Sequence, residues 1–302
     1  MEPSLTTGSP LVVLNPAANR GNMQRYQALA RQKAAEKGAR YLETTRAGEA
    51  EELAKKAASE GCPVIVIGGD GSVHEVVNGL LASGRRVPLG VVAAGSGNDF
   101  AWNTLHLPND PAQALERAFS GRLVDVDAGQ VNGRYFANAF SVGLDADIAV
   151  AAQSLKRWPL MSGSRLYYGA SLKQLLFGYQ RCPRLSFKLD DCEWMDTNRY
   201  VLLAVSNGPT YGGGFRINPP ADHTDGWFRV CAIRYVPLAR ALRLLPVVQR
   251  GEHASVAEAH FFQAKKIQIE SVLPVNIQMD GETSSARSYR AEVLAGALQV
   301  RV

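Results

Sequence analysis

The 302-residue chain lacks most of what marks a membrane-spanning or disulfide-stapled protein. Its four cysteines, Cys62, Cys182, Cys192 and Cys231, are scattered and have no CxxC spacing. That excludes an obvious zinc site or disulfide framework, and a reducing cytoplasm suits it. No run of about 18 apolar residues is present, so no transmembrane helix is expected. The opening MEPSLTTGSP has an acid, no base and no apolar core, unlike a secretory signal. Internal repeats and low-complexity linkers are also missing. Two stretches lack acids altogether. Residues 148–189 hold Lys156, Arg157, Arg165, Lys173, Arg181, Arg184 and Lys188. Residues 226–251 hold Arg229, Arg234, Arg240, Arg243 and Arg250. The whole chain is at +5, so the remainder outside these twelve bases is at −7. Such asymmetry predicts a basic face for an anionic partner. No nucleic-acid motif accompanies the charge, so nucleic acid is not the expected partner.

What is present centres on residues 64–80, VIVIGGDGSVHEVVNGL. The apolar run Val64–Ile67 suits a strand buried on both faces. It ends in Gly68, Gly69, Asp70 and Gly71. Val73, Val76, Val77 and Leu80 then recur at helical spacing. Ser72 and Glu75 fit a capping box that would start the helix at Ser72. Strand, glycine turn and helix N-terminus together form a ready anion site, because free N–H groups point outward and the bare backbone admits a phosphate.

The same alternation runs through the first half. Residues 11–14 read as a strand followed by the Asn15–Gly21 loop. Helices are predicted over 23–37 and 48–59, a short strand at 41–43 and a buried strand at 89–93. The last runs into Gly95-Ser96-Gly97-Asn98-Asp99. Asp110 and Pro111 open one more helix as N-cap and N1. This pattern predicts a mostly parallel sheet with helices on its faces, and ligands at the carboxyl ends of its strands. Near Val124 the texture changes. Strand-like runs follow at 185–189, 200–205, 228–233, 266–270, 275–279, 290–294 and 298–302. Asn132-Gly133 marks a type I′ hairpin, and helices are predicted at 164–177 and 238–249. The expectation is an α/β domain over 1–124 and a β-sandwich domain over 125–285.

Several residues are candidates for chemistry. Asp70 inside a phosphate-binding turn would repel the phosphate unless a cation sits between them, which implicates Mg²⁺. Ser96 and Asp99 offer a hydroxyl and a carboxylate at the next strand end, and Thr44 offers a hydroxyl at another. Asp222 and Asp225 lie in a tight loop before Trp227. They suit either a hard cation or a plain Asx turn, and spacing alone favours the turn. Asp280 and Glu282 flank Gly281 after a strand, where one could serve as a general base.

Five motifs, taken together, resemble the diacylglycerol kinase catalytic-domain family of YegS and DgkB type, with sphingosine and ceramide kinases as relatives. They are NPAANRG at 15–21, GGDGSVHEVVNGL at 68–80, AAGSGNDFA at 93–101, the NG…YGGG…PPADHTDG series at 207–226, and MDGE at 279–282. GGDG followed by Ser or Thr also occurs in NAD kinases and phosphofructokinases; the continuations are what point to the lipid kinases. The resemblance implies a nucleotide-binding α/β domain of NAD kinase/diacylglycerol kinase type, a C-terminal β-sandwich, and a final segment, about 286–302, that returns to the first domain. It implies ATP contacts at Asn15, Pro16, Ala17, Ala18, Asn19, Arg20, Thr44, Gly69, Asp70, Gly71, Ser72, Val73, His74, Glu75 and Ser96. It implies Mg²⁺ ligation by Asp225 with carbonyls of Asp222 and Trp227, and water-mediated contact from Asp70 and Asp99. Asp280 is the preferred base and Glu282 its rival. The first loop departs from the family by lacking a serine after Asn-Pro, while Ser72 and Ser96 stand where threonine is usual.

The resulting expectation is an ATP- and Mg²⁺-dependent lipid kinase, acting on diacylglycerol, placed in the cytoplasm and peripherally on the anionic inner face of the membrane. The basic stretches, interleaved with Trp158, Tyr167, Tyr168, Phe177 and Tyr179 and with Leu242, Leu244 and Leu245, fit that surface. Competing readings are a kinase for another lipid (a sphingoid base, ceramide or phosphatidylglycerol), a soluble NAD kinase-like enzyme, and a non-catalytic nucleotide or lipid sensor.

Overall fold

The computed structural model describes residues 8–155 and 178–302. The predicted helix at 164–177, the bases Lys156, Arg157, Arg165 and Lys173, and the aromatics Trp158, Tyr167, Tyr168 and Phe177 lie outside the described residues.

In the first half, β1 (Leu11–Leu14), β2 (Arg40–Glu43), β3 (Val64–Gly68) and β4 (Pro88–Ala93) form parallel pairs in the order β2-β1-β3-β4. Every residue of β1, β3 and β4 is buried. Both sheet faces are covered, which is why these strands are continuously apolar. Successive side chains alternate between two cores. Val64 and Val66 pack under α2 (Glu49–Ser59) and α3 (Asp70–Ala82), whereas Ile65 and Ile67 face α1 (Gln24–Glu36) and α4 (Pro111–Ser120). Asp110 caps α4 as predicted, accepting from the N–H groups of Ala112 and Gln113 at 3.1 Å.

The second half comprises β5 (Leu123–Val131), β6 (Arg134–Phe136), β7 (Ala139–Gly143), α5 (Leu144–Leu155), β8 (Arg184–Leu189), β9 (Asn198–Ser206), β10 (Phe228–Arg234), α6 (Leu238–Arg250), β11 (Ala259–Ala264), β12 (Lys266–Met279) and β13 (Glu282–Arg301). The ladder β9-β7-β12-β8 returns to β9, closing the strands around an apolar centre. There Phe136 meets Phe140 edge-on at 5.3 Å and stacks on Phe228 at 5.5 Å. Asn132 and Gly133 both have positive φ, as the predicted hairpin turn requires.

β13 holds the molecule together. It pairs with β12 and β5, and its far end, Gln299 and Val300, lies parallel to Pro88 and Leu89 of β4. The segments predicted at 290–294 and 298–302 are parts of this one strand, with a register shift between them. Likewise 266–270 and 275–279 are both β12, interrupted by a bulge. Strand β7 and helix α5 had no counterpart in the sequence prediction. The capping box is a correction. Helix α3 starts at Asp70 with Gly69 as N-cap and no side-chain cap, so Ser72 already lies inside it. Glu75 instead accepts the N–H groups of Gly48 (2.9 Å) and Ala50 (3.2 Å), capping the neighbouring helix α2.

Candidate active site

The strand ends of the parallel sheet bring three loops together. Asn15 Nδ2 donates to Ser72 Oγ at 2.9 Å, and its Oδ1 accepts the Ala17 N–H, folding the Asn15–Arg20 loop against the start of α3. Asn19 and Arg20 follow in the left-handed region and are exposed. Gly69 and Gly95 lie backbone to backbone, so close that a Cβ on either would strike the other. The Asn98 N–H donates to Asp70 Oδ2 at 2.8 Å, tying the third loop to the glycine turn, with Ser96 exposed at its apex. Thr44 is buried at the end of β2, its N–H donating to Leu14. The N-terminus of the 13-residue helix α3 is left without a side-chain cap and faces this junction. Such an end offers N–H groups and partial positive charge to an anion.

Not all the predicted nucleotide contacts point there. Val73 is 4% exposed and belongs to the core. His74 is 2% exposed, with Nδ1 3.6 Å from Asp280 Oδ2 and Nε2 3.2 Å from Asn78 Nδ2. Glu75 is occupied at α2. These three side chains serve packing and inter-element ties, which a motif match cannot distinguish from ligand contact.

The acids separate by surroundings. Asp280 has φ of 46° and a side chain 6% exposed. Its carboxylate accepts three backbone N–H groups, from Ala137 (2.7 Å), Asn138 (3.1 Å) and Ala139 (3.0 Å). Both its oxygens are engaged inside the protein, which favours Glu282 over Asp280 as the base. Glu282, one glycine further on, is exposed, and its Oε1 lies 3.4 Å from where a Cβ on Gly71 would stand. The β12–β13 turn thus delivers one acid to the interior and the next to the rim of the glycine turn.

Asp99, 4% exposed, accepts from Asn103, from Thr210, and from the N–H groups of Gly213 (2.7 Å) and Gly214 (2.9 Å). It fastens the Tyr211–Gly214 loop of the second half to the first. Asp127 does the same elsewhere and escaped the sequence reading. Buried at 1% exposure, it accepts the N–H groups of Gly226 (2.6 Å) and Gly296 (2.7 Å). Its strand also carries Asp125 and Gln130, so the sequence gives Asp127 no signal of its own. Asp70 differs again. Burial, then the charges of Asp99 and Asp280, push its carboxyl up to about 7. A carboxyl so placed gains from a nearby cation.

The predicted metal loop is drawn otherwise. Asp222 Oδ1 accepts the Thr224 N–H and hydroxyl, an Asx turn. Asp225 Oδ1 accepts the Trp227 N–H, and Oδ2 pairs with Arg229 at 2.6 Å. Arg229 thus neutralises one oxygen of Asp225 in this arrangement. Among the described residues no three His, Cys, Asp or Glu side chains converge as a ready metal cage.

A two-part molecule with an open helix N-terminus, a carboxylate at its rim and a cation-seeking acid beside it has the parts of a phosphotransferase. The match to known families is direct. The diacylglycerol kinase catalytic domain matches residues 9–131, and the YegS C-terminal NAD kinase beta sandwich-like domain matches residues 138–302. The chain belongs to this diacylglycerol kinase family of lipid kinases. It is 29% identical over 278 residues to the diacylglycerol kinase of Bacillus subtilis, covering 90% of this chain and 88% of that one. Against the diacylglycerol kinase of Staphylococcus saprophyticus the identity is 27% over 245 residues, 79% and 76% of the two chains. A crystal structure of a diacylglycerol kinase from Bacillus anthracis str. Sterne superposes with a TM-score of 0.73 at 21% identity, covering 97% of this chain and 96% of that one. That likeness supports the two-part fold. No helix among the described residues is long and apolar enough to cross a membrane.

Proposed function

We propose that this protein transfers the γ-phosphoryl group of ATP to the hydroxyl of a membrane lipid, diacylglycerol in the first instance, giving phosphatidic acid. The observation that carries the reading is the exposed Glu282 carboxylate beside Gly71, at the open N-terminus of α3. The glycine turn would hold phosphate oxygens, and Glu282 would take the proton of the acceptor hydroxyl as it attacks. Phosphoryl transfer demands positioning and charge neutralisation above all. A helix terminus contributes only about 0.3–1 kcal/mol to a neighbouring anion, so Mg²⁺ is needed for the rest. When bound, Mg²⁺ would neutralise phosphate charge, with Asp70 and Asp99 reaching it through water. Asp225 would join only on releasing Arg229. The enzyme would work in the cytoplasm at the anionic inner face of the membrane.

Labelled ATP and Mg²⁺ with diacylglycerol, sphingoid, phosphatidylglycerol and NAD acceptors test this. Labelled phosphatidic acid is the expected product. Label in NADP alone, or nucleotide binding without transfer to any acceptor, overturns it.

A further inference from the structure

The most exposed large apolar side chains among the described residues are Val272 (84%) and Leu273 (69%). They occupy the bulge in β12. Glu270 pairs with Ser288 and Val275 with Ala286, so Ser271, Val272, Leu273 and Pro274 stand opposite Arg287 alone. The surplus residues must leave the ladder, and Pro274 has no N–H to return to it. The excursion is pinned at both ends. Ser271 Oγ donates to the Arg184 carbonyl at 3.1 Å. Tyr289 OH donates to the Val275 carbonyl and accepts the Ala286 N–H, both at 2.7 Å. A fixed backbone therefore holds two adjacent branched apolar side chains in water. Isolated exposed apolar residues need no explanation, but a pinned pair at a protruding tip does.

The charge beside the tip indicates what covers it. Arg287 lies directly across the bulge and Arg184 at its base, both exposed, and neither forms an ion pair among the described residues. Glu270 is the acid adjoining the bulge in sequence. An apolar point ringed by free arginines complements a leaflet, whose acyl region takes the point and whose anionic headgroups take the arginines.

We propose that the Ser271–Pro274 bulge is a wedge that inserts into a leaflet bearing anionic lipid. This rests on the reading that the acceptor is a membrane lipid, and it assigns the docking to the strand that leads into the Asp280–Glu282 turn. The test is sedimentation with phosphatidylglycerol-containing vesicles, with phosphatidylcholine vesicles as the uncharged comparison. The double variant Val272→Asp, Leu273→Asp is expected to lower partitioning at least about tenfold. Arg184→Glu and Arg287→Glu are each expected to lower it about fivefold, and only on the anionic vesicles. Thermal unfolding and turnover of acceptor in detergent micelles should stay at the parent level in all three. Unchanged partitioning of the double variant overturns the wedge. So does a parent dimer that the double variant converts to monomer, since a second copy would then be the occupant. If micellar turnover is absent in the parent, the kinase reading fails while vesicle binding still judges the wedge.

Discussion

Asp280 and Glu282 are separated by one glycine and inhabit opposite settings. Around Asp280 lies a buried seam in which acids hold backbone. Asp280 gathers three amides at 137–139, Asp99 two at 213–214, and Asp127 one each from Gly226 and Gly296. Around Glu282 lies the open rim, where an acid faces the glycine turn and solvent. A carboxylate whose oxygens are filled with amide donors stabilises a joint; one with free oxygens can accept a proton from a substrate. Both kinds occur in one short motif, so motif membership does not assign the role.

The largest effect should fall on the rim. Glu282→Gln is expected to lower turnover about 10²–10⁴-fold, the usual contribution of a general base. Nucleotide affinity and the denaturation midpoint should be unchanged. Near-parental turnover would remove Glu282 from the chemistry and return the base to the seam.

Asp280→Asn tests the other side. The amide replaces an acceptor with a donor, so at least one N–H of Ala137, Asn138 or Ala139 loses its partner. Each orphaned amide costs about 1–3 kcal/mol. The denaturant midpoint should fall accordingly, with turnover falling through loss of fold. A variant of parental stability that cannot turn over would erase the distinction between the two acids.

The legible parts of the fold were those carried by local pattern. Continuous apolar runs marked β1, β3 and β4, and glycines marked the loops at their ends. Asn132-Gly133 marked its hairpin. What was missed depends on partners distant in sequence. The sequence pattern splits β12 and β13 into two runs each, because a register shift breaks the pattern while the ladder continues. Helix α3 begins at Asp70 because Gly69 can leave the strand there, and the Ser72–Glu75 spacing mimics a cap it does not make. Asp127 and Asp280 hold amides that lie about a hundred or more residues away, and no local signal records such a tie. The site was legible as a set of loops, but not as a division between seam and rim.

Glu75 sharpens that division within the glycine motif. Both its oxygens are spent on the start of α2. Glu75→Ala should therefore cost about 1–2 kcal/mol of stability, as loss of a helix cap does, and leave ATP affinity at the parental value. Weakened ATP binding at parental stability would place Glu75 on the rim.

Only a small stability effect is expected at Arg229. It is paired with Asp225 at 2.6 Å, the two side chains being 18% and 29% exposed. Pairs this close to the surface contribute about 0–1 kcal/mol, so Arg229→Gln should barely move the unfolding midpoint. Its informative readout is the metal. With Arg229 gone, Asp225 regains a free oxygen in the loop that the family resemblance assigns to Mg²⁺. The variant should reach half-maximal turnover at lower Mg²⁺, and Asp225→Asn at higher Mg²⁺. Opposite shifts in the two variants would mark Asp225 as an acid that exchanges one cation for another, intermediate between seam and rim. If neither variant alters the Mg²⁺ dependence, Asp225 belongs with Asp127 as a carboxylate that only shapes its loop.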